Sequence, residues 1–292
     1  MLRGIDKGTT YTKDNLGNIL KSTIKEVKDE ALLDGKTIVE YECKKYIVGE
    51  KGNYSTDLEK ANHKNTKIMV YTMLAIGSME KYITTNLVLG LPIGLYSNHK
   101  EKMKNLFKND FANITVNDKE KFIKITGIEV FPEAAGAYYN QPHRNCLIID
   151  LGGLSIDTAD FENGKLIKHS TYSMGTMKLY SKIANRLNSI YDLNFTEWNI
   201  PRVFDEGLYI YGERQDLDVD DILESHTLEI IERLKLEYDL KAYKNICLTG
   251  GGSILLESYL KRYMPQCEPI ESIFANARGF YNVGKVIFNE QG

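Results

Sequence analysis

Short apolar runs broken by alternating polar positions open the chain, and the same arrangement returns in its middle. Residues 2–6, 9–14 and 19–27 read as three strands, with Asn15-Leu16-Gly17-Asn18 as a hairpin turn. Residues 146–150, 154–161 and 165–172 repeat that plan, with Asn163-Gly164 as the turn. The pattern therefore predicts one three-strand unit used twice. Between the copies, residues 65–83 carry Met, Leu, Ile and Tyr at helical spacing, and residues 87–91 form a continuous apolar run suited to a strand buried on both faces. Residues 99–110 predict a basic amphipathic helix and residues 114–126 a strand pair. Residues 132–140 predict a helix of small residues, opened by Pro132 in its first turn with Glu133 beside it.

After the second copy, residues 177–191 predict a helix, 193–207 an irregular stretch, and 220–240 a long helix with Ile222, Leu223, Ile230, Ile231 and Leu234 on one side. A strand at 246–249, a helix at 253–263 and a last helical segment at 274–287, interrupted by Gly279 and Gly284, complete the chain. Strands that alternate with helices in both halves predict α/β layers.

Composition narrows the function classes. The chain has 292 residues, 42% hydrophobic and 26% charged, enough for two domains with proper cores. Its 37 basic and 40 acidic residues form no long single-sign block, which argues against a general nucleic-acid or anionic-lipid surface. Cys43, Cys146, Cys247 and Cys267 are scattered without CxxC spacing and read as reduced thiols. The N-terminus shows no signal-peptide core, and the apolar runs near 87–95 and 146–151 are too short to span a bilayer, so a soluble cytoplasmic protein is expected.

The chemistry sits at the strand ends. A triphosphate with Mg²⁺ needs backbone N–H groups that can approach its oxygens, hydroxyls or a lysine to match its charge, and carboxylates to hold the metal's waters. Asp6 ends the first strand, Gly8 removes a blocking side chain, Thr9 and Thr10 add hydroxyls, and Lys13 lies on the next strand within reach. Strand-end Asp and Gly are also common turn formers, and the first motif alone leaves that reading open. Asp150 repeats Asp6 in context, followed by Gly152, Gly153, Leu154 and Ser155, and one metal between the two aspartates is the economical reading. Asp157 takes the place that matches Lys13, where a turn or packing role is expected. Gly250, Gly251 and Gly252 would let adenosine lie on bare backbone, with Ser253 starting a helix whose N–H groups point the same way.

Asp6-x-Gly8-Thr9-x-x-x-Lys13 resembles the first phosphate loop of the actin superfamily, Asp150-Leu-Gly-Gly153 its second, and Leu248-Thr-Gly-Gly-Gly252 its adenosine motif. Within the superfamily the chain looks most like the plasmid-segregation actins of the ParM/StbA type, through Gly90-Leu91-Pro92 with Tyr96, Pro132-Glu133-Ala134-Ala135-Gly136, and Asn276-Ala277-Arg278-Gly279-Phe280-Tyr281. That resemblance implies a duplicated actin-like, ribonuclease H-like, two-domain α/β ATPase fold with small inserted subdomains. Domain I would take residues 1–144, with an insertion at about 30–66 and the C-terminal helix at 275–292; domain II would take 145–274, with an insertion at about 178–240. The resemblance also implies ATP, with GTP left open, and Mg²⁺ as cofactors, and Glu133 as the residue that aligns the hydrolytic water. The plainer reading of Glu133 is a first-turn glutamate interacting with a helix dipole. The implied partners are further copies of the chain in a head-to-tail filament that disassembles after hydrolysis, and an adaptor protein on a plasmid centromere. Contact with plasmid DNA would be indirect, and no membrane is involved.

Other chemistries find less support. Gly35-Lys36-Thr37 looks like the end of a P-loop, but the required first glycine is replaced by Glu30. No HExxH, zinc-type cluster or GxSxG is present, and the five histidines are isolated in sequence. Fold does not fix function, so an exopolyphosphatase-like enzyme or a small-molecule kinase of the same superfamily stays the alternative, with a nucleotide-dependent binding module as the non-enzymatic one. Neither residues 1–8 nor 288–292 form an amphipathic anchor, which favours plasmid segregation over cell-shape roles.

Overall fold

Two sheets built on one plan organise the molecule. The computed structural model describes residues 1–27, 35–50, 53–54, 59–271 and 273–289, so parts of the expected 30–66 insertion and the end of the expected 275–292 segment lie outside the described residues. The first half runs β1 (Leu2–Lys7), β2 (Tyr11–Asp14), β3 (Ile19–Lys21), β4 (Thr23–Glu26), β5 (Thr37–Tyr41), β6 (Lys44–Val48), β7 (Asn53–Tyr54), α1 (Asn65–Ile76), β8 (Tyr82–Leu91), α2 (Tyr96–Phe107), β9 (Phe111–Val116), β10 (Lys119–Pro132) and α3 (Ala135–Tyr138). The second runs β11 (Cys146–Leu151), β12 (Ile156–Glu162), β13 (Lys165–Tyr172), α4 (Thr176–Tyr191), α5 (Ile200–Glu206), β14 (Leu208–Ile210), β15 (Glu213–Gln215), α6 (Asp220–Lys235), β16 (Ile246–Thr249), α7 (Gly251–Tyr263), β17 (Cys267–Pro269) and α8 (Ala275–Ile287).

Strands β3-β2-β1-β8-β10 lie side by side in the first sheet, and β13-β12-β11-β16-β17 in the second. In each, the opening meander pairs antiparallel and the next two strands pair parallel. Even the registers agree, since Asp6 lies opposite Lys13 and Asp150 opposite Asp157. The five-stranded core that goes with the actin-like resemblance is met by the second sheet, but among the described residues the first continues through β9-β5-β6-β4-β7 to ten. The cause is β10, whose 14 residues pair with β8 along one edge and extend far enough to pair with β9 on the other. Its register shifts between Ile125 and Gly127, as at a bulge.

Several expected elements change shape. The run at 19–27 breaks at Ser22, whose N–H binds the Thr10 carbonyl at 2.9 Å and whose hydroxyl binds the Gly8 carbonyl at 2.7 Å, so β3 and β4 part company there. The helix expected at 65–83 stops at Ile76, and its last two expected residues, Tyr82 and Ile83, already belong to β8. The irregular 193–207 stretch contains α5, with Pro201 in its first turn where a missing N–H is harmless. The helix expected at 132–140 shrinks to the four residues of α3, because Pro132 ends β10 and Ala134 takes φ 61°, ψ −50°. The Ala135 N–H meets the Glu133 carbonyl at 2.7 Å around it, which makes a γ-turn of the strained, positive-φ kind.

Each sheet carries its own apolar core, and a smaller cluster with Ile93, Ala134, Ile148, Phe161 and Ile270 lies between them. Helix α8 packs on β1 and α3 at distances only glycine permits. A Cβ on Gly4 would stand 2.2 Å from the Ala277 carbonyl oxygen, and one on Gly279 would overlap the Gly136 carbonyl. Phe280, fully buried, fills the space left by Gly90 and Gly136.

Candidate functional site

The expected loop residues gather at the C-terminal ends of β1 and β11. Asp6 is 5% exposed and faces Lys13 across the β1–β2 pair, Nζ to Oδ2 at 3.3 Å. The chain then turns through Gly8, Thr9 and Thr10, with the Gly8 N–H on the Tyr11 carbonyl at 3.0 Å and Ser22 tying the loop from behind. A side chain at Gly8 would meet the Tyr11 carbonyl oxygen at 2.7 Å, so the tight turn itself needs glycine.

In the second loop, the Gly152 N–H binds the Ser155 carbonyl at 2.9 Å, while the carbonyls of Gly152, Gly153 and Leu154 accept from Thr176, Met177 and Gly175 at the start of α4. The two loops touch, because a Cβ on Gly153 would lie 2.5 Å from the Thr10 hydroxyl. Ser155 donates its hydroxyl proton to Asp157 at 2.9 Å rather than pointing it into open space. Asp157 also accepts from the Ile93 N–H at 3.2 Å and from Thr171 at 2.5 Å, which gives it a packing role that joins the segment after β8 to the second sheet.

Asp150 is held from two sides. Asn276 of α8 donates to its Oδ2 at 2.6 Å, and the same side chain accepts from the N–H groups of Ala134 and Ala137 at 3.1 and 3.2 Å. Gly250, at φ 84°, comes so close that a Cβ there would stand 2.4 Å from Asp150 Oδ1. Gly252 is hemmed in by Leu151 and Thr176, whereas around Gly251 a Cβ would meet nothing within 4 Å. That open space is where a ligand can lie on bare backbone. Ser253 closes the start of α7, its hydroxyl on the Gly250 carbonyl at 2.7 Å.

Glu133 projects from the γ-turn into the same region and forms a buried ion pair with Lys60, a residue that no sequence motif marks. Lys7, 3% exposed, lies close enough to feel both charges. Four carboxyls, Asp6, Glu133, Asp150 and Asp157, are thus crowded with Lys7, Lys13 and Lys60 in a region nearly closed to solvent. Burial, then the charges of Asp6 and Asp157, push the Asp150 carboxyl up to about 7. Burial also pushes Glu133 upward; Lys60 opposes this and Asp6 and Asp157 reinforce it. Burial lowers Lys7 to about 8. It also works against the charge on Lys60, but Glu133 and Asp6 more than offset it and hold Lys60 above the ordinary lysine value.

Such a set of mutually repelling carboxyls at two facing strand ends fits a divalent cation, which would take the place of their protons. Asp6 and Asp150 are the two carboxyls that could hold such a cation and its waters. Sequence reasoning missed Lys7, Lys60 and the role of Asn276. Lys7 and Asn276 sit inside quoted motifs, but Lys60 comes from a stretch whose spacing announces nothing.

Residues 4–136 match the family model for the actin-like proteins' N-terminal domain. Similar solved structures include the archaeal actin homologue Ta0583 in complex with ADP, at 18% identity over 98% of this chain and 99% of that one, TM-score 0.82. A 15-stranded ParM filament from Clostridium botulinum matches at 19% identity over 98% and 99%, TM-score 0.82. An AlfA filament bound to AMPPNP matches at 18% over 99% and 98%, TM-score 0.68. No curated protein matches in sequence. The fold is the actin-like α/β fold. Among the described residues, no helix is long and apolar enough to cross a membrane.

Proposed function

We propose that this chain is an actin-like ATPase that binds ATP with Mg²⁺ between its two sheets and assembles head to tail into filaments that come apart after hydrolysis. The observation that carries this reading is the placement of Asp6 and Asp150 at equivalent ends of duplicated strands, with Gly250 packed against Asp150 and open space beside Gly251. In this reading domain I comprises residues 1–144 with the helix at 275–292, and domain II residues 145–274, with insertions at about 30–66 and 178–240.

Asp6 and Asp150 would hold Mg²⁺, which when bound neutralises phosphate charge. Lys13 and the backbone of residues 8–10 and 152–155 meet the phosphates, and residues 250–253 meet the adenosine. Glu133, with its carboxyl raised toward neutral pH, accepts a proton from water aligned on the terminal phosphate. The γ-phosphate would draw Lys60 away from Glu133 and so free that carboxylate. Closure of the two halves then couples phosphate to subunit contacts, and an open head-to-tail contact yields a polymer. The similar structures that are filaments support self-assembly, and the resemblance of the sequence motifs to the ParM/StbA type suggests a centromere-bound adaptor through which plasmid DNA is moved.

The test is light scattering and pelleting after Mg-ATP addition, with phosphate release on the same sample. Scattering that rises and then decays as phosphate appears is the expected result. Phosphate release, or transfer to a small molecule, without scattering at any protein or salt concentration overturns the filament reading in favour of a soluble phosphotransfer enzyme.

A further inference from the structure

The passage between the two sheets brings together side chains that lie far apart in sequence and away from the residues assigned to the nucleotide. Cys146 opens β11 and shares a face of that strand with Ile148. Ile148 lies opposite Cys247 of β16, and Cys247 opposite Glu268 of β17. Both thiols are buried, and Cys146 donates to the His143 carbonyl at 3.9 Å. His143, three residues before Cys146, reaches over the same face and places Nε2 2.6 Å from Glu268 Oε1. Its backbone is fixed by Gln141, which accepts from the His143 N–H at 2.6 Å and donates to its carbonyl at 2.7 Å. His143 Nε2, Cys247 Sγ and a Glu268 oxygen all lie within 4.8 Å of one another.

We propose that His143, Cys247 and Glu268 form a binding site for Zn²⁺, with water as the fourth ligand. Zinc takes thiolate, imidazole and carboxylate donors tetrahedrally at roughly 2.0–2.3 Å, and these three side chains supply one of each. On binding, the Cys247 thiol proton leaves to solvent, neutral His143 binds through the ring nitrogen that carries no hydrogen, and the sulfur, nitrogen and oxygen lone pairs bind the metal. Soft sulfur beside imidazole selects zinc over Mg²⁺, which keeps the site chemically apart from the aspartates of the cleft. No zinc-type spacing is legible in the sequence because the donors come from the inter-sheet passage and two strands. A bound zinc would clamp that passage to β16 and β17 and fix the angle at which the chain enters the second sheet.

Titration with Co²⁺, then Zn²⁺, tests this in a Cys43→Ser background that removes the exposed thiol. One equivalent of Co²⁺ should give a thiolate charge-transfer band with tetrahedral visible bands, both erased by Zn²⁺. His143→Gln, at a partly exposed position, should lower Co²⁺ affinity at least tenfold with the fold intact by circular dichroism, and Cys247→Ser should abolish the charge-transfer band. Asp150→Asn should leave the signal in place. Absence of the sulfur band, or its persistence in His143→Gln and loss in Asp150→Asn, overturns the proposal.

Discussion

The Lys60 ammonium is buried against the Glu133 carboxylate, so the glutamate proposed for hydrolysis already has a charged partner. Removing one member of a buried pair is strongly destabilising, though Glu133 can soften the loss by taking up a proton. Lys60→Met should therefore cost about 2–4 kcal/mol in a urea melt. Loss of a charged contact to the transferring phosphate should slow phosphate release by about 100-fold or more. A variant as stable and as active as the parent would show that the pair contributes neither way.

Stability should fall with pH in the ligand-free protein. The Asp150 carboxyl rises from an ordinary value near 4 to about 7 on folding. Between those values the folded protein keeps a proton that the unfolded chain has released. Stability is then greatest below the unfolded value and is lost as pH climbs toward neutrality, by about 2–4 kcal/mol from pH 5 to pH 8. Glu133 shifts in the same direction. Saturating Mg-ATP should flatten the dependence, and Asp150→Asn should remove much of it. Denaturant melts at four or five pH values decide the matter; a ligand-free curve that rises across this window contradicts the crowded-carboxyl account.

Two neighbouring glycines should respond in opposite ways. Gly250→Ala faces a positive φ and a collision with Asp150, so it should destabilise the fold by about 1–3 kcal/mol and weaken nucleotide binding together. Gly251→Ala meets open space at the start of α7 and should leave the melting temperature within a degree or two of the parent, or slightly above it. If adenosine lies against that backbone, its affinity for ATP drops all the same. Unchanged ATP affinity in Gly251→Ala would remove the adenosine from this position.

Asn276 links Asp150 to the Glu133 turn through one side chain. Asn276→Leu leaves two backbone N–H groups and a carboxylate oxygen short of partners, which should cost about 2–4 kcal/mol. Its effect should also reach chemistry, lowering phosphate release more than nucleotide affinity. Asn282→Ala, whose bond to the Tyr139 carbonyl is exposed, should stay within about 1 kcal/mol and serves as the control. Equal losses in the two variants would reduce Asn276 to ordinary packing.

The duplicated strands and their turns were legible because strand alternation and Asp-x-Gly ends are local signals, and the registers of Asp6 and Asp150 follow from hairpins only a few residues long. The ten-strand sheet was not, because the pairing of β9 with β5 joins segments some seventy residues apart. The γ-turn at Ala134 escaped for a different reason. Pro-Glu-Ala-Ala-Gly has helix-start chemistry, and only the packing of Ala134 and Asn276 against its neighbours forces the backbone out of it. Lys60 stayed hidden because a lysine carries no meaning until the fold decides which carboxylate it meets.

Helix α8 gives the molecule an order of completion. Its residues close over Gly4 on the first strand, hold the Glu133 turn, and supply the hydrogen bond to Asp150, yet they follow both sheets in chain order. A nascent chain can form both meanders with Asp6 and Asp150 in place while β1 still shows a bare apolar face and the cleft has no working geometry. The arrangement around Asp150 and the Glu133 turn is thereby withheld until α8 has been made and has docked.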